Sequence, residues 1–285
     1  VLASATPSLE SWVNAEHGRY RHLTLPARFG PAVMPSIELV DLRRDKPPSQ
    51  RFLSPTLEAA IEETVARKEQ ALLFLNRRGY APLNICQSCG HRIECPNCSA
   101  WLVEHRFRAK LVCHHCGFEK PKPRACEKCH AVNAIASSGP GVERIAEEVT
   151  QLWPEARVAI ASSDVLHGPK QTQEALERMA EGGIDVLIGT QIVAKGHNFP
   201  NLTLVGVVDA DLGLSGGDPR ARERTFQLLH QVAGRAGRHA KPGRALLQTH
   251  QPEDRLMQAI AAADRDRFLK LEAADVGDAV GRVLF

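Results

Sequence analysis

The stretch ALLFLNRRGYAPLNICQSCG, residues 71–90, decides how this chain folds. It opens on an apolar run that ends at Asn76, the pattern of a short strand buried on both faces, as in parallel sheets. Shortly after come Cys86 and Cys89, so a cysteine-rich module breaks in directly behind that strand.

On either side of the interruption, strand and helix signals alternate as in an α/β protein. Upstream, Ser54 to Lys68 reads as a capped helix. Downstream, AIASSGPGVERIAEEVTQLW (134–153) resumes the pattern, followed by RVAIAS (157–162), a helix near Lys170 to Glu181, IDVLIGT (184–190), LTLVGVVDAD (202–211), a long helix and ALLQT (245–249). Asp218 is the expected N-cap of that long helix, with Pro219 at its first position. RRDKPPSQR (43–51) reads as the clearest linker.

All eight cysteines fall between 86 and 129 as four C-x-x-C pairs. In a reducing compartment such pairs hold metal rather than form disulfides, and four pairs supply two tetrahedral all-thiolate zinc sites. Five residues separate Cys89 from Cys95, too few for a hairpin, whereas fourteen separate Cys98 from Cys113 and contain two strand-like segments, near Trp101–Glu104 and Leu111. That favours a nested arrangement: Cys95, Cys98, Cys113 and Cys116 around one ion, Cys86, Cys89, Cys126 and Cys129 around the other. Sequential pairing is the alternative. With every position filled by sulfur, the sites are structural rather than catalytic. Between Ala81 and Asn133 eight Lys and Arg face four Asp and Glu, so two thiolate-bound zinc ions leave the module near neutral. His91, His105, His114, His115 and His130 read as surface or supporting groups.

The chain of 285 residues carries a formal charge of only +3, which neither demands nor excludes a nucleic-acid partner. It has no apolar run of membrane-spanning length and no signal-peptide pattern, so the expectation is a cytoplasmic protein with no membrane partner.

Two further stretches carry chemistry. In QVAGRAGR (231–238), Gln231, Arg235 and Arg238 share one face if the segment is helical, and Gly234 and Gly237 leave room for something anionic to approach. Phe226, Leu229 and Ala233 form the packing stripe on another side. GTQIVAKGHNFPN (189–201) follows a buried strand and places Thr190, Lys195 and Gly196 where open α/β sheets bind ligands. Yet no G-x-x-x-x-G-K-[ST] phosphate loop occurs in the chain.

Together these stretches resemble the superfamily 2 helicases. SATPSLES (4–11) is similar to their motif III, LLFLNRRGYA (72–81) to motif IV, GTQIVAKGHNFPN to motif V and QVAGRAGR to motif VI. The four C-x-x-C pairs behind motif IV single out the bacterial replication-restart branch, whose members pair these cysteines in the nested manner. The resemblance implies a RecA-like second helicase lobe, mostly parallel sheet with flanking helices and an inserted two-zinc module, in an ATP- and Mg2+-dependent 3′ to 5′ DNA helicase. It implies that Arg235 and Arg238 reach nucleotide phosphates, that Gln231 senses the nucleotide beside Gly196, that Thr190 and Lys195 couple lobe closure to the DNA backbone, and that Ser4 and Thr6 link hydrolysis to movement. Implied partners are forked or single-stranded DNA, primosome proteins and single-stranded DNA-binding protein.

The implied organisation is the end of a first lobe over 1–42, the second lobe over 43–80 and 134–252, the zinc module over 81–133, and a truncated or divergent tail over 253–285. The family's phosphate loop is expected upstream of Val1, in a longer protein of which this is a piece. The tail, FLKLEAADVGDAVGRVLF (268–285), departs from the family's Pro- and aromatic-rich continuation. A different class of function fits the cysteines alone: a zinc-ribbon module that docks DNA or protein without catalysis.

Overall fold

The computed structural model of the chain describes residues 3–25, 34–76, 83–98, 102–105, 110–113, 116–138, 141–162, 169–194, 198–214, 220–237 and 241–283. Its main body is a six-stranded, all-parallel sheet. In spatial order the strands are β1 (Ser36–Asp41), β11 (Arg244–Thr249), β10 (Leu202–Asp209), β2 (Gln70–Leu75), β9 (Val186–Gly189) and β8 (Val158–Ala161).

The period of two along each strand sorts the apolar side chains onto two faces. Leu72 and Phe74 of β2 join Leu187, Val205, Val207 and Leu247 on one face, under α4 (Pro169–Ala180), α5 (Ala221–Ala233), α6 (Arg255–Ala261) and α7 (Arg265–Val283). Ala71, Leu73 and Leu75 join Val186, Ile188, Leu204 and Leu246 on the other, under α2 (Pro55–Ala66) and α3 (Val142–Leu152). A strand covered on both faces has no polar side to alternate with, which is why ALLFL reads as an unbroken apolar run.

Helix α2 is capped as expected, Ser54 Oγ accepting from Leu57 N at 3.3 Å. The stretch 43–51 is firmly anchored: Arg43 pairs with Asp41 and Glu253, and Arg51 with Glu58 and Glu148. The tail packs too, for Phe268 of α7 stacks on Phe226 of α5 with ring centroids 4.2 Å apart. No helix among the described residues is long and apolar enough to cross a membrane.

Three expectations are corrected. Ser36–Asp41, expected to lie before the second lobe, forms β1 and pairs in parallel with β11, Leu39 opposite Leu247. Ile135–Ser138, read as part of the resuming α/β pattern, is strand β7 and pairs antiparallel with β3 (Leu83–Cys86), closing the base of the inserted module. Helix α5 begins at Ala221 with Arg220 in the cap position; Asp218 and Pro219 lie outside the described residues.

The inserted module is an antiparallel sheet ordered β6 (Glu119–Pro121), β5 (Lys110–Val112), β4 (Val103–His105), β3, β7. Strands β4 and β5 are the hairpin expected inside the long inter-cysteine gap, Glu104 opposite Leu111. Its small core consists of Ile93, Leu102 and Leu111 packed against buried cysteines. So little apolar area leaves the module dependent on another staple.

Candidate functional site

The eight cysteines gather into two groups: Cys86, Cys89, Cys126 and Cys129, and Cys95, Cys98, Cys113 and Cys116, with the sulfurs of each group all within 4.8 Å of one another. Close sulfur pairs lie at 3.6 Å (Cys86 and Cys129), 3.7 Å (Cys89 and Cys126), 3.4 Å (Cys95 and Cys116) and 3.5 Å (Cys98 and Cys113). A tetrahedron with Zn–S bonds of about 2.3 Å spaces its sulfurs by about 3.8 Å, so both groups fit zinc. The nested arrangement is the one observed.

Local backbone explains the spacing. Three of the four pairs repeat one turn: the first cysteine accepts at its carbonyl from the residue four on (Gly90, Gly117 and His130) and donates its N–H to the carbonyl five on (His91, Phe118 and Ala131). The residue after each pair has positive φ, 74° at Gly90, 77° at Gly117 and 58° at His130. Two glycines adopt this freely, while His130 does so at a cost of about 1 kcal/mol. These turns aim backbone N–H groups at sulfur. Burial opposes ionisation of Cys126, yet the N–H groups of Cys129 and Lys128 outweigh it and bring the thiol down to about 7. Cys89 is pushed up to about 12 by burial and by the neighbouring sulfurs. Crowded sulfurs of which one ionises readily and another resists are a group that a cation stabilises.

The module is bolted to the parallel sheet beside the first cysteine group. Gly90 stacks its backbone on the His250 ring, where an added Cβ would come within 2.5 Å of the ring. Two residues on, Arg92, 6% exposed, donates to both carboxylate oxygens of Asp209 at 2.7 and 2.8 Å and lies 3.7 Å from Asp211. Burial and the adjacent Asp209 push Asp211 up to about 6, against Arg92, the Thr249 hydroxyl and the His250 N–H. Burial also holds His250 below the usual imidazole range. Sequence reading missed this seam; the signal available was the DAD at 209–211, two acids at the carboxyl end of a buried strand.

The motif residues lie along the same molecule with two corrections. Helix α5 stops at Ala233, and Arg235 N and Ala236 N bond to carbonyls three residues back, so Gln231 and Arg235 do not share a helical face. Gln231 is exposed while Arg235 is 6% exposed. Nor is the room beside Gly237 left for a ligand: Gly237 has φ 69°, and an added Cβ would lie 2.5 Å from Gly243 N. The backbone of Gly243 fills that space. Arg238, Lys195 and Gly196 lie outside the described residues. Thr190 directly follows β9, its carbonyl accepting from Val193 N at 3.1 Å.

At the other end of the sequence, Ser8 caps α1 (Leu9–Glu16), which lies against α5 and α7. Ser4 Oγ accepts from Thr6 N at 3.0 Å. Gln231 Nε2 donates to Thr6 Oγ1 at 3.0 Å, joining two of the expected motifs across 225 residues of sequence.

A parallel sheet of this order with an inserted ribbon of two four-cysteine groups defines a RecA-like helicase C-terminal lobe with a zinc module. Residues 95–121 match the PriA DNA helicase Cys-rich region domain, and residues 141–240 the helicase conserved C-terminal domain. The chain is 47% identical over 272 residues to the replication restart protein PriA of Rickettsia prowazekii, covering 95% of this chain and 42% of that protein. It is 43% identical over 275 residues to PriA of Bacillus subtilis, covering 96% and 34%. Over nearly its whole length the chain is similar to these replication restart proteins, and it spans about two fifths of the length of the first of them. Among solved structures, RecG bound to a three-way DNA junction matches at a TM-score of 0.49 and 14% identity over 94% of this chain and 26% of that one, too loosely to add to the sequence relationship.

Proposed function

We propose that this chain is the second lobe and zinc module of an ATP-driven 3′ to 5′ DNA helicase that unwinds forked or single-stranded DNA during replication restart. The observation that carries the reading is the Gln231–Thr6 hydrogen bond, which ties the last turn of α5, just ahead of Arg235, to the segment that resembles motif III. Arg235 and Arg238 provide the positive charge that a transferring phosphoryl group requires, with Gln231 and Gly196 beside the nucleotide. Thr190, just beyond β9, and Lys195 further along the same motif couple lobe closure to the DNA backbone, and Ser4 and Thr6 pass the nucleotide state to it. ATP with Mg2+ supplies the phosphoryl chemistry when bound in the longer protein.

The zinc module, holding two ions, supports contacts with DNA, primosome proteins and single-stranded DNA-binding protein in the cytoplasm. Under this reading the residues ahead of β1 connect to the first lobe, 81–133 with the β7 strand form the module, and 253–285 extend the second lobe.

ATP hydrolysis tests the reading. The 285-residue chain alone is expected to show none, and the full-length gene product a DNA-stimulated rate. Strong DNA-stimulated hydrolysis by the isolated chain contradicts the division of labour; none by the full-length product leaves a docking module.

A further inference from the structure

Helix α5 presents Glu223, Gln227 and Gln231 at intervals of four, a single stripe along its surface. Each grips a different group of the segment leading into α1. Glu223 Oε1 accepts from Leu9 N at 3.0 Å, Gln227 Nε2 donates to the Pro7 carbonyl at 3.2 Å, and Gln231 Nε2 reaches the Thr6 hydroxyl. From α7, Arg265 Nη1 donates to the Ala5 carbonyl at 3.2 Å. Gln227 also donates to Glu223 Oε1 at 3.1 Å, linking the grips to one another.

Glu223 is the one carboxylate in the stripe, and it is only 5% exposed. Burying a carboxylate is costly unless it is hydrogen-bonded. Here it meets the first N–H of α1, where the donors of a helix start are open and its dipole favours negative charge. Ser8 caps the same helix from within, bonding Ser11 N. Glu223 is thus a second cap, supplied from more than two hundred residues away.

We propose that Glu223, Gln227 and Arg265 are positioning residues: a rail that fixes the backbone of residues 5–9 so that Thr6 meets Gln231, and that thereby sets how tightly hydrolysis is coupled to strand movement. The inference rests on the motor reading given above. A rail of this kind acts through Thr6 and Gln231 and touches neither nucleotide nor DNA. It leaves ATP affinity alone while altering the turnover that follows binding.

The test uses Glu223→Ala, Glu223→Gln, Arg265→Ala and Arg265→Lys in the full-length gene product, with amide exchange followed at Leu9. Glu223→Ala is expected to raise Leu9 exchange and to lower DNA-stimulated kcat, each by about tenfold, the loss of one hydrogen bond to a charged group, while KM for ATP stays within about twofold. Glu223→Gln, which keeps an acceptor, and Arg265→Lys, which keeps a donor, are expected to recover most of the loss. Unchanged Leu9 exchange and kcat in an active protein would overturn the rail. So would a general rise in exchange across β2 and β10, which marks Glu223 as a packing residue only. Should Glu223→Ala not fold, the Arg265 pair decides by the same readouts. A wild-type protein without DNA-stimulated hydrolysis overturns the motor reading, and this inference with it.

Discussion

Arg92 of the zinc module clamps both carboxylate oxygens of Asp209, the last residue of β10, at 2.7 and 2.8 Å. The module is therefore no loosely tethered appendage. Its first metal knuckle, through Gly90 and Arg92, is seated on the ends of β10 and β11. Removing one partner of a buried pair strands the other, a loss that exceeds the net worth of the pair itself. Arg92→Ala is expected to lower stability by about 3 kcal/mol in denaturant unfolding while zinc content stays at its wild-type level. A change below about 1 kcal/mol would show that the seam contributes little.

Asp211 makes the same seam sensitive to pH. Its folded-state pKa, pushed up to about 6 from an ordinary 3.8, means that the folded protein binds this proton more tightly than the unfolded chain does. The contribution is fully present below about pH 4 and is lost as pH rises through about 6. Asp211→Asn, neutral at every pH, should therefore gain on the wild type between about pH 4 and about pH 7, by at most about 3 kcal/mol. The comparison cancels the opposite trend from acids such as Asp41 and Asp185, which neighbouring arginines hold below the usual range. A difference flat with pH would mean that Asp211 titrates normally.

Paired serine substitutions read out the metal connectivity. Cys89→Ser with Cys126→Ser damages only one sulfur group and should leave one zinc per chain. Cys89→Ser with Cys95→Ser damages both and should leave none. Elemental analysis decides, because sequential pairing gives the reverse pattern.

Gly237→Ala is expected to cost more than about 2 kcal/mol, since it combines a left-handed φ with collision against backbone. The offending atoms, Gly243 N and Cα at 2.5 and 2.9 Å, cannot rotate away. Thermal unfolding measures it; an unchanged midpoint would mean that the contact between Gly237 and Gly243 opens easily.

The sequence made the sheet and the metal groups legible because both are written in local periodicity. ALLFL has the unbroken apolar character of a strand covered twice, and the fourteen-residue gap between Cys98 and Cys113 has room for the β4–β5 hairpin. What was not legible depends on distant partners. Nothing near Arg92 announces Asp209, and nothing near Ser36–Asp41 announces β11. The even spacing of Gln231, Arg235 and Arg238 suggested one helical face, but the helix ends at Ala233 because the following glycine-rich turn packs against Gly243. Glu223 was legible as a helical residue and not as a cap, since the helix it caps lies at the opposite end of the chain.

The most direct measurement is DNA-stimulated ATP turnover by the full-length gene product carrying Arg235→Lys. Lysine keeps the charge and most of the volume at this buried position while losing the planar fork. The expected result is a fall in kcat of roughly a thousandfold, with unfolding midpoint and zinc content as in the wild type. Turnover at the wild-type rate would contradict the assignment of this lobe as the arginine-bearing half of an ATP-driven motor.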